Sequence, residues 1–409
     1  MSSKPGALPP PRFLAVCLGL VALLWSPLLL SYRYLATNGE TLSPVKIVDR
    51  LEHQPEAFYR SIMHDNLRET ALEIIRRRQP EVIALGSSLT LDFREEYFTR
   101  PFACAGGVMD TLADGDEFVM RMLKVAQPKV VLFILNFWWF TDAEVPRRGS
   151  LAGPKESPRL SFSQLRLPYK QLSRKEITAG QLFGWEPLHA TNAIDNIPLG
   201  LMAHFDHVGR RSDGSQLNGL VFTDKAWDFY APVRQRFAHV DAFVLESGRF
   251  GPDMQIRPDR LTLLRRIIQR LETAGTHVIL VNPPMAPPLV AAMSRSGRHQ
   301  YYFQFGDAIQ KLGAEAYDFR EPATLGIPAA EFADTHHAGN TAYMRLLLEI
   351  AKRSPASPLA GQIDQPKLAE WVQRFAGNTV AILAKDRIRT RETDFLGLGV
   401  QKAAPAPGP

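Results

Sequence analysis

The sequence predicts an α/β protein in which helices cover both faces of a parallel sheet. Three near-continuous apolar runs, at 81–86, 129–135 and 276–281, have the length and the β-branched content of buried strands. Segments with helical periodicity separate these runs, and such alternation is typical of parallel sheets. Polar residues gather where the runs end, which is the edge at which open α/β sheets bind ligands.

The N-terminal segment departs from this pattern. No charge interrupts residues 13–32, and a helix of that length extends about 30 Å, the thickness of a bilayer's hydrocarbon core. We expect a retained single-pass anchor in the cytoplasmic membrane, with Trp25 and Tyr32 at the outer interface and Pro27 kinking the last turn. The alternatives are a buried core helix, which the proline-rich N-terminus disfavours, and a cleaved signal peptide, which needs a small-x-small exit site.

The other elements follow in order after the anchor. A helical pattern over 45–78 predicts a bridge between membrane and domain, and the first strand then ends at a Gly-Ser-Ser turn. Beyond this turn the patterns predict a short strand over 100–107, helices over 110–125, 255–274 and 303–313, a short strand over 314–319, and a loop entering a terminal helix over 332–353.

Two regions interrupt or follow the predicted sheet. Between about 141 and 250, proline, glycine, aromatic and basic residues replace the regular patterns, which indicates an insertion over the top of the sheet. A helical extension and a disordered tail follow the sheet. The predicted divisions are an N-terminal tail and transmembrane anchor (1–35), a helical linker (36–78), the α/β domain with its insertion (79–353) and the C-terminal extension (354–409).

Composition excludes several classes of function. Lys and Arg total 48 against 42 Asp and Glu, and a net charge of +6 over 409 residues lacks the concentrated basic footprint of a nucleic-acid-binding protein. Cys17 and Cys104 are the only cysteines, which excludes a disulfide framework and a cysteine-rich zinc site. We expect no nucleic-acid partner and no cofactor.

Small and polar residues at the predicted strand ends are candidate catalytic groups. Ser88 follows Gly86 at a tight turn that would expose its hydroxyl at the edge of the sheet; the alternative is an ordinary turn with serine as a helix N-cap. Gly106, Gly107 and Asn136 follow the next two strands, where backbone N–H groups or an amide could stabilise an oxyanion. Taken alone, Asn136 would be a turn residue.

The sequence Asp334-Thr335-His336-His337 lies in the loop before the terminal helix. A histidine held by an aspartate is the general base that a serine hydroxyl requires, and a spacing of three carries Asp334 and His337 toward one point. His336 is the rival base. Asp334 could instead cap the helix, or the paired histidines could bind a metal. We expect no metal, because neither an H-x-x-x-H pattern nor cysteine partners accompany them.

Nucleophile, oxyanion donors and Asp–His occur in that order, and the chain thereby resembles the SGNH/GDSL hydrolase superfamily in its membrane-anchored DltD-like and alginate-acetylation-type branch. VIALGSSLT, FACAGGVMDTL, VVLFILNFWWF and DTHH look like the four sequence blocks of that family. The resemblance implies an SGNH-like (flavodoxin-like) fold, a catalytic triad of Ser88, Asp334 and His337, and oxyanion donors at Ser88, Gly107 (or else Gly106) and Asn136.

The resemblance also implies where and on what the chain acts. We expect an extracytoplasmic (periplasmic) serine O-acyltransferase or acylesterase for an envelope polysaccharide or related polymer, with a multi-pass membrane-bound O-acyltransferase as a partner. The aromatic and basic residues from 137 onward would suit a glycan groove, or they would pack on the sheet. The candidate substrate-binding residues are Trp138, Trp139 and His336, and the wider set adds Phe137, Phe140, Arg147, Arg148, Trp185, Arg210 and Arg211.

The chain departs from three of the family's blocks, and the departures in the second and third blocks keep another class of function open. Ser87 stands where the first block usually has an acidic residue, and no glycine precedes Asn136 in the third block. The second block lacks its asparagine, with Ala103 near that position. The alternative function is a catalytically silent scaffold that assists a membrane-bound O-acyltransferase.

Overall fold

A computed structural model describes residues 11–63, 66–143, 160–188, 193–246, 248–389, 392 and 394–398, and its strands form two sheets. The strands are β1 (Ala57–Tyr59), β2 (Val82–Gly86), β3 (Phe102–Ala105), β4 (Val130–Ile134), β5 (Ile197–Leu199), β6 (Val208–Arg210), β7 (Gln216–Asn218), β8 (His277–Asn282) and β9 (Glu315–Asp318). The helices are α1 (Pro11–Thr37), α2 (Pro44–His53), α3 (Leu67–Arg78), α4 (Leu112–Met122), α5 (Leu167–Ser173), α6 (Ala179–Phe183), α7 (Leu201–Asp206), α8 (Ala226–Phe229), α9 (Ala231–Ala238), α10 (Val240–Glu246), α11 (Pro258–Thr273), α12 (Pro287–Ser296), α13 (Gln300–Gln310), α14 (Asn340–Arg353) and α15 (Gln365–Arg374).

The larger sheet has five parallel strands in the order β3-β2-β4-β8-β9. β2 and β4 are buried along their whole length, as expected of strands that are apolar on both faces. α3, α4 and α11 pack side by side along the sheet, and α13 packs against the edge strand β9. The predicted α/β architecture, a parallel sheet flanked by helices, is thereby confirmed.

The strand order places a crevice above β2 and β4. In the order in which the chain makes them, the five strands lie 2-1-3-4-5, so the chain turns to one side of β2 to form β3 and to the other side to form β4. Ligands bind at such a switch point, outside the carboxyl ends of the strands. Ser88 follows the end of β2 and Asn136 follows the end of β4, so both lie at this position.

Residues 45–78 do not form the single helical bridge that their pattern predicts. α2 ends at His53, before Pro55, because a proline disfavours helical backbone in the residue preceding it. The buried strand β1 follows, and it pairs with β5 in parallel and with β6 antiparallel. The linker and the insertion, predicted as separate segments, therefore share one small sheet of order β5-β1-β6-β7.

Among the described residues, α1 is the one helix long and apolar enough to cross a membrane, over Phe13–Thr37. It runs without interruption through Pro27. The proline cannot donate to the carbonyl of Leu23, and the Ser26 hydroxyl donates to that carbonyl instead, at 2.9 Å. The last turns of α1 enter the folded domain, where Leu35 is fully buried.

A buried carboxylate joins three parts of the chain. Arg94, which precedes β3, donates to the two oxygens of Asp386 at 2.8 and 3.1 Å, and Arg211 of the insertion donates at 2.7 Å. The side chains of Arg94 and Asp386 are both fully buried. Burial would raise the pKa of Asp386, but the two guanidinium groups hold it at about 2, so the carboxylate is charged. The C-terminal extension is thus fixed to the α/β domain.

Asp386→Ala is expected to lower the free energy of unfolding by about 3–5 kcal/mol, because it removes the shared carboxylate from two largely buried guanidinium groups. Urea unfolding of the detergent-solubilised chain measures the change. Asp142→Ala is the matched control: it breaks the exposed ion pair with Arg257 and should cost less than about 1 kcal/mol. Equal losses in the two variants would contradict the prediction.

Candidate active site

Ser88 is presented by the turn that follows β2. Glycine is required at Gly86, since a Cβ there would lie 2.3 Å from the Thr90 hydroxyl and 2.7 Å from the carbonyl oxygen of Ile134. A 3₁₀ turn begins at Ser88, so the N–H group of Ser88 has no partner within that turn. The N-cap is Ser87, whose hydroxyl accepts from the N–H of Leu89 at 3.2 Å. The capping role considered for Ser88 therefore belongs to its neighbour, and the side chain of Ser88 is exposed.

Ser88, His337 and Asp334 form one hydrogen-bonded relay. The hydroxyl oxygen of Ser88 lies 2.8 Å from Nε2 of His337, and Nδ1 of His337 lies 2.6 Å from Oδ2 of Asp334. An ionised carboxylate only accepts hydrogen bonds, so Nδ1 carries the proton and Nε2 is left to accept one from Ser88. The structure thus brings the three predicted triad residues together, across 249 residues of sequence.

The backbone of the loop holds the aspartate in place. Oδ1 of Asp334 accepts from the backbone N–H groups of His336 and His337, each at 2.8 Å. Both carboxylate oxygens of Asp334 thus accept hydrogen bonds from within residues 334–337, so a spacing of three is enough to bring the carboxylate against the ring of His337. Helix α14 begins only at Asn340, and its N-cap is Gly339, so Asp334 does not cap this helix.

The electrostatics of the relay keep Asp334 ionised and make His337 more basic. Burial opposes the charge on Asp334, but the neighbouring imidazoles and the hydrogen bond from His337 hold the pKa of its carboxyl well below the usual range. Burial likewise opposes protonation of His337, yet Asp334 raises the pKa of the imidazole above 6.5. His337 is therefore a stronger base than an ordinary histidine, as a residue that must deprotonate a serine hydroxyl needs to be.

His336, the rival base, occupies a different environment. It is buried, and its ring lies 5.8 Å from that of Trp138 and 5.5 Å from that of Phe250. Burial lowers the pKa of His336 to about 3, so the ring is neutral. Ligand atoms of Asp334, His336 and His337 lie within 4.8 Å of one another and could hold a metal ion. A metal at Nδ1 of His337 would have to displace the proton that this nitrogen donates to Asp334.

The two predicted oxyanion donors differ in their availability. Oδ1 of Asn136 accepts from the hydroxyl of Ser87 at 3.0 Å, which orients the amide and leaves its NH₂ group on the opposite side. Gly107, by contrast, donates its N–H to the carbonyl oxygen of Ser87 at 2.8 Å. In this arrangement Gly107 could act as an oxyanion donor only by releasing or sharing that bond, because its N–H already donates to a carbonyl.

The glycines after β3 have a structural explanation instead. Gly107 has a φ of +69°, and a Cβ there would lie 2.7 Å from a guanidinium nitrogen of Arg210. That guanidinium donates to the carbonyl oxygen of Gly106 at 2.6 Å. Gly106, the alternative donor, packs against the turn after β2, where a Cβ would meet the backbone nitrogen of Leu91 at 3.0 Å.

The aromatic residues after Asn136 do not line an open groove. Trp138 and Trp139 are 3% and 4% exposed, so the expectation that they contact substrate directly is corrected: both belong to the hydrophobic core. Trp138 packs against the rings of Phe137 and Phe250, and its ring also contacts that of His336 at the site. The rest of the wider set divides into buried residues (Phe137, Phe140, Arg210), an ion-paired arginine (Arg211), an exposed residue (Trp185) and residues outside those described (Arg147, Arg148).

Asp92 is a site residue that sequence reasoning missed. The side-chain amide of Asn340 donates to both the carbonyl oxygen and the carboxylate of Asp92, each at 3.0 Å. Burial raises the pKa of Asp92 to about 6, against the opposing effect of nearby cationic groups. Its charge in turn raises the pKa of His337. The sequence shows only an acidic residue four positions after Ser88. Its role cannot be predicted without knowing that Asn340, at the start of α14, lies beside it.

No protein-family model matches this chain, and no curated protein in the search does either. A serine hydroxyl within hydrogen-bond reach of a histidine, itself oriented by a buried carboxylate, is the arrangement that activates serine as a nucleophile. The N–H of Ser88, which has no partner within its turn, and the NH₂ group of Asn136 are the candidate donors for the charge that such an attack creates.

Proposed function

We propose that this chain is a membrane-anchored serine O-acyltransferase or acylesterase of the SGNH/GDSL type. The observation that carries the proposal is the relay from Ser88 through His337 to Asp334, with separations of 2.8 and 2.6 Å. The position of the nucleophile after β2, of Asn136 after β4 and of the Asp–His loop before α14 adds support, as does the strand order 2-1-3-4-5.

The proposed reaction has two half-reactions. His337 accepts the proton of Ser88 as the serine oxygen bonds to the carbonyl carbon of an acyl ester, and the N–H of Ser88 and the amide of Asn136 stabilise the oxyanion. The C–O bond to the leaving alcohol then breaks, and His337 gives that alcohol the proton. Water or a sugar hydroxyl attacks the acyl-enzyme in the same way. Water makes the chain an esterase, and a sugar hydroxyl makes it a transferase.

The proposed location is the outer face of the cytoplasmic membrane, with the α/β domain extracytoplasmic (periplasmic). The support for this part is α1, which is apolar over a membrane-spanning length and exposed along its apolar window. An anchored enzyme of this kind would act on an envelope polysaccharide or related polymer, with a multi-pass membrane-bound O-acyltransferase as a partner.

The direct test is covalent labelling of the full-length chain in detergent by a fluorophosphonate probe. We expect stoichiometric labelling at Ser88, because the probe reacts with serines activated by a histidine. Unlabelled chain from the same preparation is then incubated with an acyl ester, with and without an oligosaccharide, to distinguish acyl transfer from hydrolysis. Acylated oligosaccharide identifies a transferase, and release of free acid alone identifies an esterase.

A catalytically silent scaffold is the second candidate, and one observation favours it. The N–H of Gly107 is bound to the carbonyl oxygen of Ser87, so the site offers fewer oxyanion donors than the resemblance implies. Absence of fluorophosphonate labelling in a chain that is folded by circular dichroism would favour the scaffold. A scaffold would also support envelope acylation in cells when Ser88 is replaced by alanine.

A further inference from the structure

Part of the insertion packs around the end of the predicted membrane span. Residues 160–186, here called the collar, contain a 3₁₀ turn at Gln164–Arg166 and the helices α5 and α6. All three contact α1. Apolar side chains of the collar pack with Tyr34 and Leu35 at the end of α1. The collar is therefore attached to the anchor as well as to the rest of the domain.

Two hydrogen bonds fix the level of the collar along α1. The hydroxyl of Tyr169 donates to the carbonyl oxygen of Pro27 at 2.5 Å, and the hydroxyl of Ser31 donates to the carbonyl oxygen of Leu165. Arg33, the first charged residue after the apolar stretch, lies near Gly184, where an added Cβ would be 3.8 Å from its guanidinium. Residues 27–33 cover about 9 Å of helix at the end of the apolar stretch, which is where a bilayer changes from hydrocarbon to headgroups.

The collar exposes aromatic side chains at this level. Phe162, Phe183 and Trp185 are exposed, Trp185 by 79%, and the rings of Phe183 and Trp185 stack at 4.8 Å. Phe183 and Trp185 flank Gly184, the residue that Arg33 approaches. Aromatic rings are enriched at membrane–water interfaces because one part of the ring system is apolar and the other tolerates water.

The charges of the collar suit an anionic lipid surface. It has four basic residues and two acidic ones. One acidic residue, Glu176, lies 3.8 Å from Arg174, and the other, Glu186, accepts from the hydroxyl of Thr178. Arg166 lies over the ring of Phe162 at 5.5 Å, so a basic and an aromatic side chain are presented together. Basic side chains beside a membrane are attracted by anionic headgroups.

We propose that the collar lies in the lipid–water interface of the bilayer that α1 spans, with the rings of Phe162, Phe183 and Trp185 among the lipid headgroups. The inference rests on the membrane anchor of the proposed function and is independent of the catalytic part. It gives the α/β domain a second attachment to the membrane, so that the domain is held at a fixed orientation rather than tethered by α1 alone.

The test places one fluorophore at a time on the full-length chain in vesicles of equal parts phosphatidylcholine and phosphatidylglycerol. The background carries Cys17→Ser, since Cys104 is buried and does not react. The collar position is Trp185→Cys, with Phe162→Cys as a second collar position in case the first disturbs folding. Trp227→Cys is the matched control, because Trp227 is also an exposed tryptophan of the insertion, at 53%, but lies on α8 outside the collar. Leu24→Cys reports on α1 itself.

Phosphatidylcholine brominated on the part of its acyl chains nearest the headgroups quenches fluorophores that lie at the lipid interface or in the hydrocarbon beneath it. We expect quenching at residues 24 and 185, and at residue 185 at least about twofold more than at residue 227. If residue 24 is quenched but neither collar position is quenched more than residue 227, the collar does not lie in the lipid interface, although α1 still spans the membrane. No quenching at residue 24 would overturn the membrane-spanning role of α1, and the collar with it.

Discussion

Ser88→Ala is expected to abolish ester hydrolysis and acyl transfer, with a loss of roughly 10⁴- to 10⁶-fold in kcat, because the hydroxyl that lies 2.8 Å from Nε2 of His337 is removed. The fold should not change, since the side chain of Ser88 is exposed and its neighbour Ser87 provides the N-cap. Turnover of an acyl ester by the purified chain, with thermal unfolding measured alongside, gives both quantities.

Ser87→Ala is the comparison that isolates the nucleophile. This variant loses the cap on Leu89 and the hydrogen bond to Asn136, yet it keeps the hydroxyl of Ser88 and its contact with His337. It should still be labelled by a fluorophosphonate, whereas Ser88→Ala should not. If Ser88→Ala kept more than a small fraction of wild-type turnover, the serine mechanism would be excluded.

Asp334→Asn is expected to lower kcat by roughly 10⁴-fold through the tautomer of His337. An amide NH₂ facing Nδ1 would move the imidazole proton to Nε2, which then could not accept the proton of Ser88. The remaining oxygen of the new side chain could still accept from the backbone N–H groups of His336 and His337, so the loop is preserved. Loss of labelling with an unchanged unfolding temperature is the expected combination.

The pH dependence of kcat/KM is an independent test of the pairing between Asp334 and His337. The active form needs a neutral His337, and Asp334 raises the pKa of that imidazole above 6.5. Activity should therefore fall as the pH decreases, with a midpoint above that of an ordinary histidine. In Asp334→Asn the residual activity should titrate at lower pH, because the carboxylate that stabilises the imidazolium is gone. A midpoint unmoved by the substitution would contradict the pairing.

The parts that could be predicted from sequence are those with strong local signals. β2, β4 and β8 are near-continuous apolar runs, and the residues following them lie at one edge of the sheet because parallel strands share a direction. The Asp334–His337 unit is equally local, since four consecutive residues make all of its internal hydrogen bonds. Only the meeting of this unit with Ser88 required the tertiary fold.

The parts that could not be predicted depend on distant partners. β1, β5, β6 and β7 have three residues each, too few for a periodic signal, and β1 pairs with β5 and β6, which lie far away in sequence. The bond from Gly107 to the carbonyl of Ser87 follows from the close pairing of β2 with β3, which no spacing reveals. The role of Asp92 depends on its hydrogen bond from Asn340, a residue 248 positions later in the sequence.

The carboxylate of Asp386 also bears on how the protein matures. A chain synthesised from its N-terminus contains Arg94 long before Asp386, which lies 292 residues later. Arg94 can pair locally with Glu96, but its buried guanidinium gains its remaining carboxylate partner only when that late segment docks. The turn that presents Ser88 lies in the same stretch of chain as Arg94. We therefore expect this turn to reach its final packing only after the C-terminal extension has been synthesised and has docked.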